Sequence, residues 1–254
     1  MLGCKRQREE MRHPLIQEVR ARLRQHADPR KARAMQAYMK SAMPYRGVQT
    51  PVRRRLQHEI FTKHPLRGFE EWRAVALSLW RDADYREERY AAVGLIGFPP
   101  YDGHLTFRAL PVCEELIVTG AWWDYVDGIA SDCLGLLLRK HPAAMKRRML
   151  AWSKSPDMWK RRSAIICQLG FKDDTDLDLL YRCVEATMHE SEFFIRKAIG
   201  WALRQYARID PGEVARFVRL HEDDLSTLSK REALRHVSDA GVPGGKKTGR
   251  GSRT

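Results

Sequence analysis

A carboxylate set among indoles calls for a reason in a chain this rich in base. Residues 119–133 read TGAWWDYVDGIASDC, which places Trp122 and Trp123 beside Asp124 and Asp127. The chain carries 46 Lys and Arg against 32 Asp and Glu, a formal charge of +14 at pH 7. On a helix, at about 100° per residue, Trp123 and Asp127 are four apart and share one region of the surface. A tryptophan face attracts cations, and a carboxylate attracts them more strongly. The pair therefore makes a site for something positive, while the basic surround gathers polyanion. The ligand these residues imply is a cationic group carried on a polyanion.

The same wheel puts Trp122, Val126, Ile129 and Cys133 on one stripe, the expected buried face, and leaves Asp124 on the rim,. Trp159, three residues before Arg162, and Trp201, on a stripe with Phe194 and Ala198, are further aromatics that could join the site. Plainer readings stand beside these. Trp122, Trp159 and Trp201 suit a core as well as a site. Asp124 can be a solvated charge, and Asp127 one end of a salt bridge to an arginine of a neighbouring segment.

The elements that must position these groups read as helices throughout. Pro14 opens one whose apolar stripe is Leu15, Ile16, Val19 and Leu23,. Residues 28–40 make another, with Asp28 as cap and Pro29 at its first position; residues 50–64 repeat the device with Thr50 and Pro51,. Further helices are predicted over 70–80, 84–96, 106–118, 121–138, 142–153, 157–168, 174–188, 191–207, 211–219 and 227–238. No stretch sustains a period of two, so no sheet is expected. Four segments share an Arg-x-Ala core anchored on Arg89, Arg162, Arg196 and Arg231, about 73, 34 and 35 residues apart,. The first step is double the others and predicts a further copy at the WWDYVDGIA segment. A two-helix unit of that period predicts an all-α solenoid of the HEAT or armadillo kind, built from paired antiparallel helices. If the helices carrying these copies line a concave surface, Asp127 sits in the middle of a basic groove.

Composition narrows the classes. A chain of 254 residues that is 43% hydrophobic can bury a core,. Residues 1–10 read as a flexible N-terminal extension, 11–238 as a single domain, and 239–254 as a Gly-rich basic tail expected to be disordered,. Met11 is a second possible start. No apolar run reaches the roughly 18 residues a membrane span needs, and the N-terminus lacks the apolar core of a signal peptide. The cysteines form no CxxC pair and no HExxH occurs, so a structural zinc site is not expected. Four of the cysteines sit in apolar helical patterns, as reduced thiols of a cytoplasmic, nucleoid-associated protein would.

Five longer stretches carry a resemblance: MQAYMK (35–40), GVQTPVRR (47–54), ELIVTGAWWDYVDGIA (115–130), FFIRKAIGWALRQYA (193–207) and LSKREA (228–233). In that order, from about Met11 to Val237, the chain resembles the AlkD-like DNA alkylation repair glycosylases, all-helical HEAT-repeat proteins. The resemblance implies a monofunctional enzyme that removes cationic N3- and N7-alkylated purines from duplex DNA, without a cofactor and without flipping the base. It implies Asp127 as the catalytic carboxylate, Trp123 and Trp201 as its aromatic partners, and Arg162 as a phosphate contact. Tyr38 matches a tyrosine that approaches DNA. Trp159, Lys197, Lys230 and Arg231 complete the expected DNA-binding set, and the partner is double-stranded DNA bound by a monomer. Two other classes fit the repeat alone: a non-catalytic reader of damaged or structured DNA, and a scaffold whose groove holds an acidic peptide.

Overall fold

The computed structural model describes residues 13–237. The expected N-terminal extension over 1–10, the alternative start at Met11 and the tail over 239–254 lie outside the described residues. The chain within them is all helix: α1 Pro14–Gln25, α2 Pro29–Met39, α3 Thr50–Lys63, α4 Phe69–Arg81, α5 Arg86–Ile96 and α6 Leu110–Gly120. A continuous helical run follows, made of α7 Trp123–Gly128, a π segment Ile129–Leu134 and α8 Gly135–Lys140. Then come α9 Pro142–Trp152, α10 Met158–Ile166, α11 Leu177–Glu185, α12 Phe193–Tyr206, α13 Pro211–Leu220 and α14 Thr227–Ala233. No strand occurs among the described residues.

Local chemistry explains where helices begin. The Asp28 side chain accepts from Arg30 N and Lys31 N and so satisfies two amides that have no intrahelical partner, with Pro29 behind it,. His13 does the same for Leu15 N ahead of Pro14. In α1 the stripe of Leu15, Ile16, Val19 and Leu23 is buried, as its spacing requires,. Thr50 is not a cap: Gln49 holds that position in extended conformation, Thr50 lies inside the first turn, and Pro51 follows it. Cys113, Cys133, Cys167 and Cys183 are free thiols in the core.

The described helices group into two compact units, one ending at Pro142 and the other starting at Ala143. In the first, α4 packs on α5 and α6 on α7; α3, α5 and α7 follow one another as neighbours, as do α4 and α6. In the second, α10 packs on α11 and α12 on α13, while α10, α12 and α14 are successive neighbours. The helices are thus arranged in packed pairs, as in a helical solenoid. The Arg-x-Ala segments fall on α5, α10, α12 and α14, with the WWDYVDGIA segment on α7. The copies are not chemically equivalent, however: Arg162 is buried, Arg89 and Arg196 are half-buried, and Arg231 is exposed.

Candidate active site

The helix that carries Trp123 and Asp127 starts two residues later than the periodicity predicts. Helix α6 runs through Gly120, and Ala121 closes it in the left-handed region at φ 44°. Trp122 is extended, at φ −153° and ψ 143°, and is the cap residue of α7 rather than a member of its apolar stripe. It is half-buried, which corrects its placement in the core. The inward face is made by Tyr125, Val126, Ile129, Ala130 and Cys133. Trp123 and Asp127 are both half-buried, and they stand one helical turn apart. Immediately after them hydrogen bonding lengthens to the π pattern, and the Ser131 hydroxyl donates to the Asp127 carbonyl at 2.8 Å. Single π turns inside α-helices are frequent at functional sites.

Asp124 is not on a solvated rim. Its side chain is 10% exposed, and Arg86, 8% exposed, donates to it from Nη2 at 2.6 Å and from Nε at 3.3 Å. The Tyr90 hydroxyl donates to the other Asp124 oxygen and itself meets the Tyr45 hydroxyl at 2.8 Å. Arg86 further donates to Ser41 Oγ at 3.3 Å, and its guanidinium lies 4.2 Å from the centre of the Tyr125 ring. Tyr125 in turn packs edge-on against Trp80, with centroids 5.0 Å apart. Burial pushes the Tyr45 phenol up to about 12. Burial, followed by the Asp124 charge, pushes Tyr90 higher still. Both phenols therefore keep their protons at neutral pH, and Tyr90 is a donor to Asp124.

The start of α5 is a hub of buried charge. Beside Arg86, the Glu87 carboxylate accepts from the backbone N–H groups of Arg46 at 3.0 Å, Gly47 at 2.8 Å and Val48 at 3.1 Å. Glu88 takes the Arg20 guanidinium at 3.0 Å. Gly47 sits at φ +86°, and a Cβ there would lie 2.1 Å from the Asp28 carbonyl oxygen, so only glycine fits,. The 46–48 loop also accepts Asp28 N through Arg46 O at 2.8 Å. This ties α2, and the 76% exposed Tyr38 near its end, to α5. None of Arg86, Glu87, Tyr90 or Tyr45 was singled out from sequence. The only signal is a run of four charges, Arg86 to Arg89, opening a helix, with Tyr90 four residues after Arg86.

The remaining candidates belong to the second unit. Arg162 is 5% exposed and donates Nη1 to the Phe194 carbonyl at 2.6 Å. Trp159 is 7% exposed and packs on Phe194 with centroids 5.1 Å apart. The Trp159 ring lies in the core of this unit. Trp201 is half-buried on α12. Lys197 pairs with Glu232 at 3.1 Å, and Glu232 also takes Arg204. Lys230 donates to the Glu222 carbonyl at 2.8 Å, and Arg231 is exposed. The structure thus groups Tyr38, Trp123 and Asp127 in one unit and Arg162, Trp201, Lys197, Lys230 and Arg231 in the other.

A sequence profile described as DNA alkylation repair enzyme matches residues 19–237. The chain belongs to the DNA alkylation repair enzyme family. A solved structure described as a "Predicted DNA alkylation repair enzyme from Enterococcus faecalis" is similar in fold and sequence. It has a TM-score of 0.76 and 27% identity, covering 84% of this chain and 97% of that one. No curated protein matches the chain. No described helix is long and apolar enough to cross a membrane.

Proposed function

We propose that the protein is a monofunctional DNA glycosylase that excises positively charged N3- and N7-alkylated purines, such as 3-methyladenine and 7-methylguanine, from duplex DNA without flipping the base. The observation that carries this reading is the Trp123–Asp127 turn: an indole and a carboxylate presented one turn apart on a fixed helix, in a chain of the DNA alkylation repair family.

The chemistry follows from the lesion. Alkylation at N3 or N7 makes the purine a cation. When the C1′–N bond breaks, both electrons go to the purine, which leaves as a neutral base and asks for little acid catalysis. Positive charge then builds on the deoxyribose. Asp127 stabilises that charge and orients the water that adds to C1′, whose lost proton passes to the carboxylate or to solvent. Trp123 packs against the sugar and attracts the developing cation, a role the family resemblance also assigns to Trp201. Arg162 holds a phosphate, and exposed cations such as Arg231 add salt-sensitive, sequence-independent affinity. A carboxylate near phosphates is repelled by them, an arrangement useful only if the interaction strengthens in the transition state.

The test is incubation with duplex DNA carrying 7-methylguanine or 3-methyladenine. The proposal expects free modified base and an equal yield of abasic sites. Tight binding to both duplexes with no base released from either would make the protein a reader of damaged DNA instead.

A further inference from the structure

We infer that Asp124, held by Arg86 and Tyr90, is a positioning residue that aims the Trp123–Asp127 turn. The inference deepens the proposed glycosylase reading and rests on it for its catalytic consequence.

Three observations meet at this turn. First, Asp124 lies in the opening turn of α7, directly between the two presented residues, yet its carboxylate points away from the surface into a buried guanidinium and a phenol. Second, no side-chain cap holds the start of α7, because Trp122 occupies the cap position and offers no acceptor to the first amides,. A six-residue α segment running straight into a π turn has little intrinsic persistence,. Its opening turn must be fixed by tertiary contacts, and the Asp124 bridge to α5 supplies a charged, two-point one. Third, the bridge is itself anchored: Arg86 reaches Ser41, Tyr90 reaches Tyr45, and the neighbouring Glu87 fixes the 46–48 loop. On the far side, Ser131 holds the Asp127 carbonyl. The turn is therefore held at Asp124, between the residues it presents, and again at the Asp127 carbonyl.

Charge gives the arrangement a second use. Asp124 and Arg86 neutralise one another, so the carboxylate three residues before Asp127 adds no net anion beside it. Arg86 is buried and Tyr90 half-buried, and both are turned onto the Asp124 carboxylate. They act through Asp124.

Asp124→Asn and the milder Tyr90→Phe, which keeps the ion pair, separate positioning from bulk stability. Amide hydrogen exchange is followed in the full-length protein, alongside single-turnover excision of 7-methylguanine and duplex affinity, at a temperature where circular dichroism shows each variant folded. Amides of residues 123–130 are expected to exchange at least about tenfold faster in Asp124→Asn, with those of α12 unchanged. Excision per folded molecule should fall about tenfold or more while duplex Kd stays within about twofold, and Tyr90→Phe should lie between. Wild-type exchange over 123–130 in both variants overturns the inference whatever the excision data show. So does wild-type excision by folded Asp124→Asn. If the wild-type protein itself releases no base, the glycosylase reading fails, and the exchange result still decides whether Asp124 fixes the turn. Should Asp124→Asn not fold, Tyr90→Phe carries the same two readouts.

Discussion

At the scale of single residues, sequence spacing reveals which groups travel together but not where a charged side chain ends. Trp123 and Asp127 are paired by the helix itself, and that is legible without a structure. Asp124 reads as a rim charge because its partners, Arg86 and Tyr90, lie 38 and 34 residues earlier, and no local pattern links them. Trp159 and Trp122 show the same limit: one indole is buried under Phe194 and the other escapes its stripe through an extended backbone. Two predictions follow from burial. Trp159→Ala should lower stability by roughly 3–5 kcal/mol, while Trp122→Ala should lower it clearly less, as chemical denaturation of both would show. Equal losses would contradict the cap placement. Arg162→Ala removes a buried charge-assisted hydrogen bond to Phe194 O. It should therefore reduce the melting temperature as well as duplex affinity, with about 1.5–3 kcal/mol of stability lost. Wild-type stability and affinity together would remove Arg162 from both roles.

At the scale of elements, proline starts and apolar stripes made nearly every helix legible, because those signals are local. What the sequence hid is how closely helices approach. A Cβ on Gly200 of α12 would lie 2.5 Å from Glu232 Cβ and 3.0 Å from the Ser229 carbonyl of α14. Gly200→Ala should force the two helices apart and destabilise the protein by about 1–3 kcal/mol, the range for overpacking. A melting temperature at or above wild type would show that the contact relaxes freely. The hub at the start of α5 was equally hidden, since a helix opening on Arg86, Glu87 and Glu88 reads as a solvated end. Each of those charges instead reaches a different neighbour, which is how a short segment can hold α2, α7 and α1 in register. The π segment after Asp127 had no sequence signal that helical periodicity could expose.

At the scale of the molecule, charge sets behaviour. With a net +14, duplex affinity should fall steeply and linearly on a log–log plot as salt rises,. A flat salt dependence would argue that the basic excess does not face DNA. Acid stability has a worked sign. Lys63 beside Glu18, the Arg67 amide on Glu71, Arg216 beside Glu213 and Lys197 beside Glu232 each hold a carboxyl below its ordinary 4.5. Such groups contribute stability above that value and lose it as pH falls through their folded values. The melting temperature should therefore drop as the pH is taken below 4.5,. Burial raises Glu88 instead, so its contribution has the opposite sign and fades as pH climbs above 4.5. A melting temperature that rises on acidification would mean that the buried group outweighs the surface pairs. The central claim is that one carboxylate, presented with an indole to a polyanion, performs the chemistry. Its most direct test is single-turnover release of 7-methylguanine by wild type beside Asp127→Asn, with duplex affinity measured on the same samples. The account predicts that the variant binds as tightly or slightly more tightly yet releases base roughly 100-fold or more slowly. Equal release by the two proteins would contradict it.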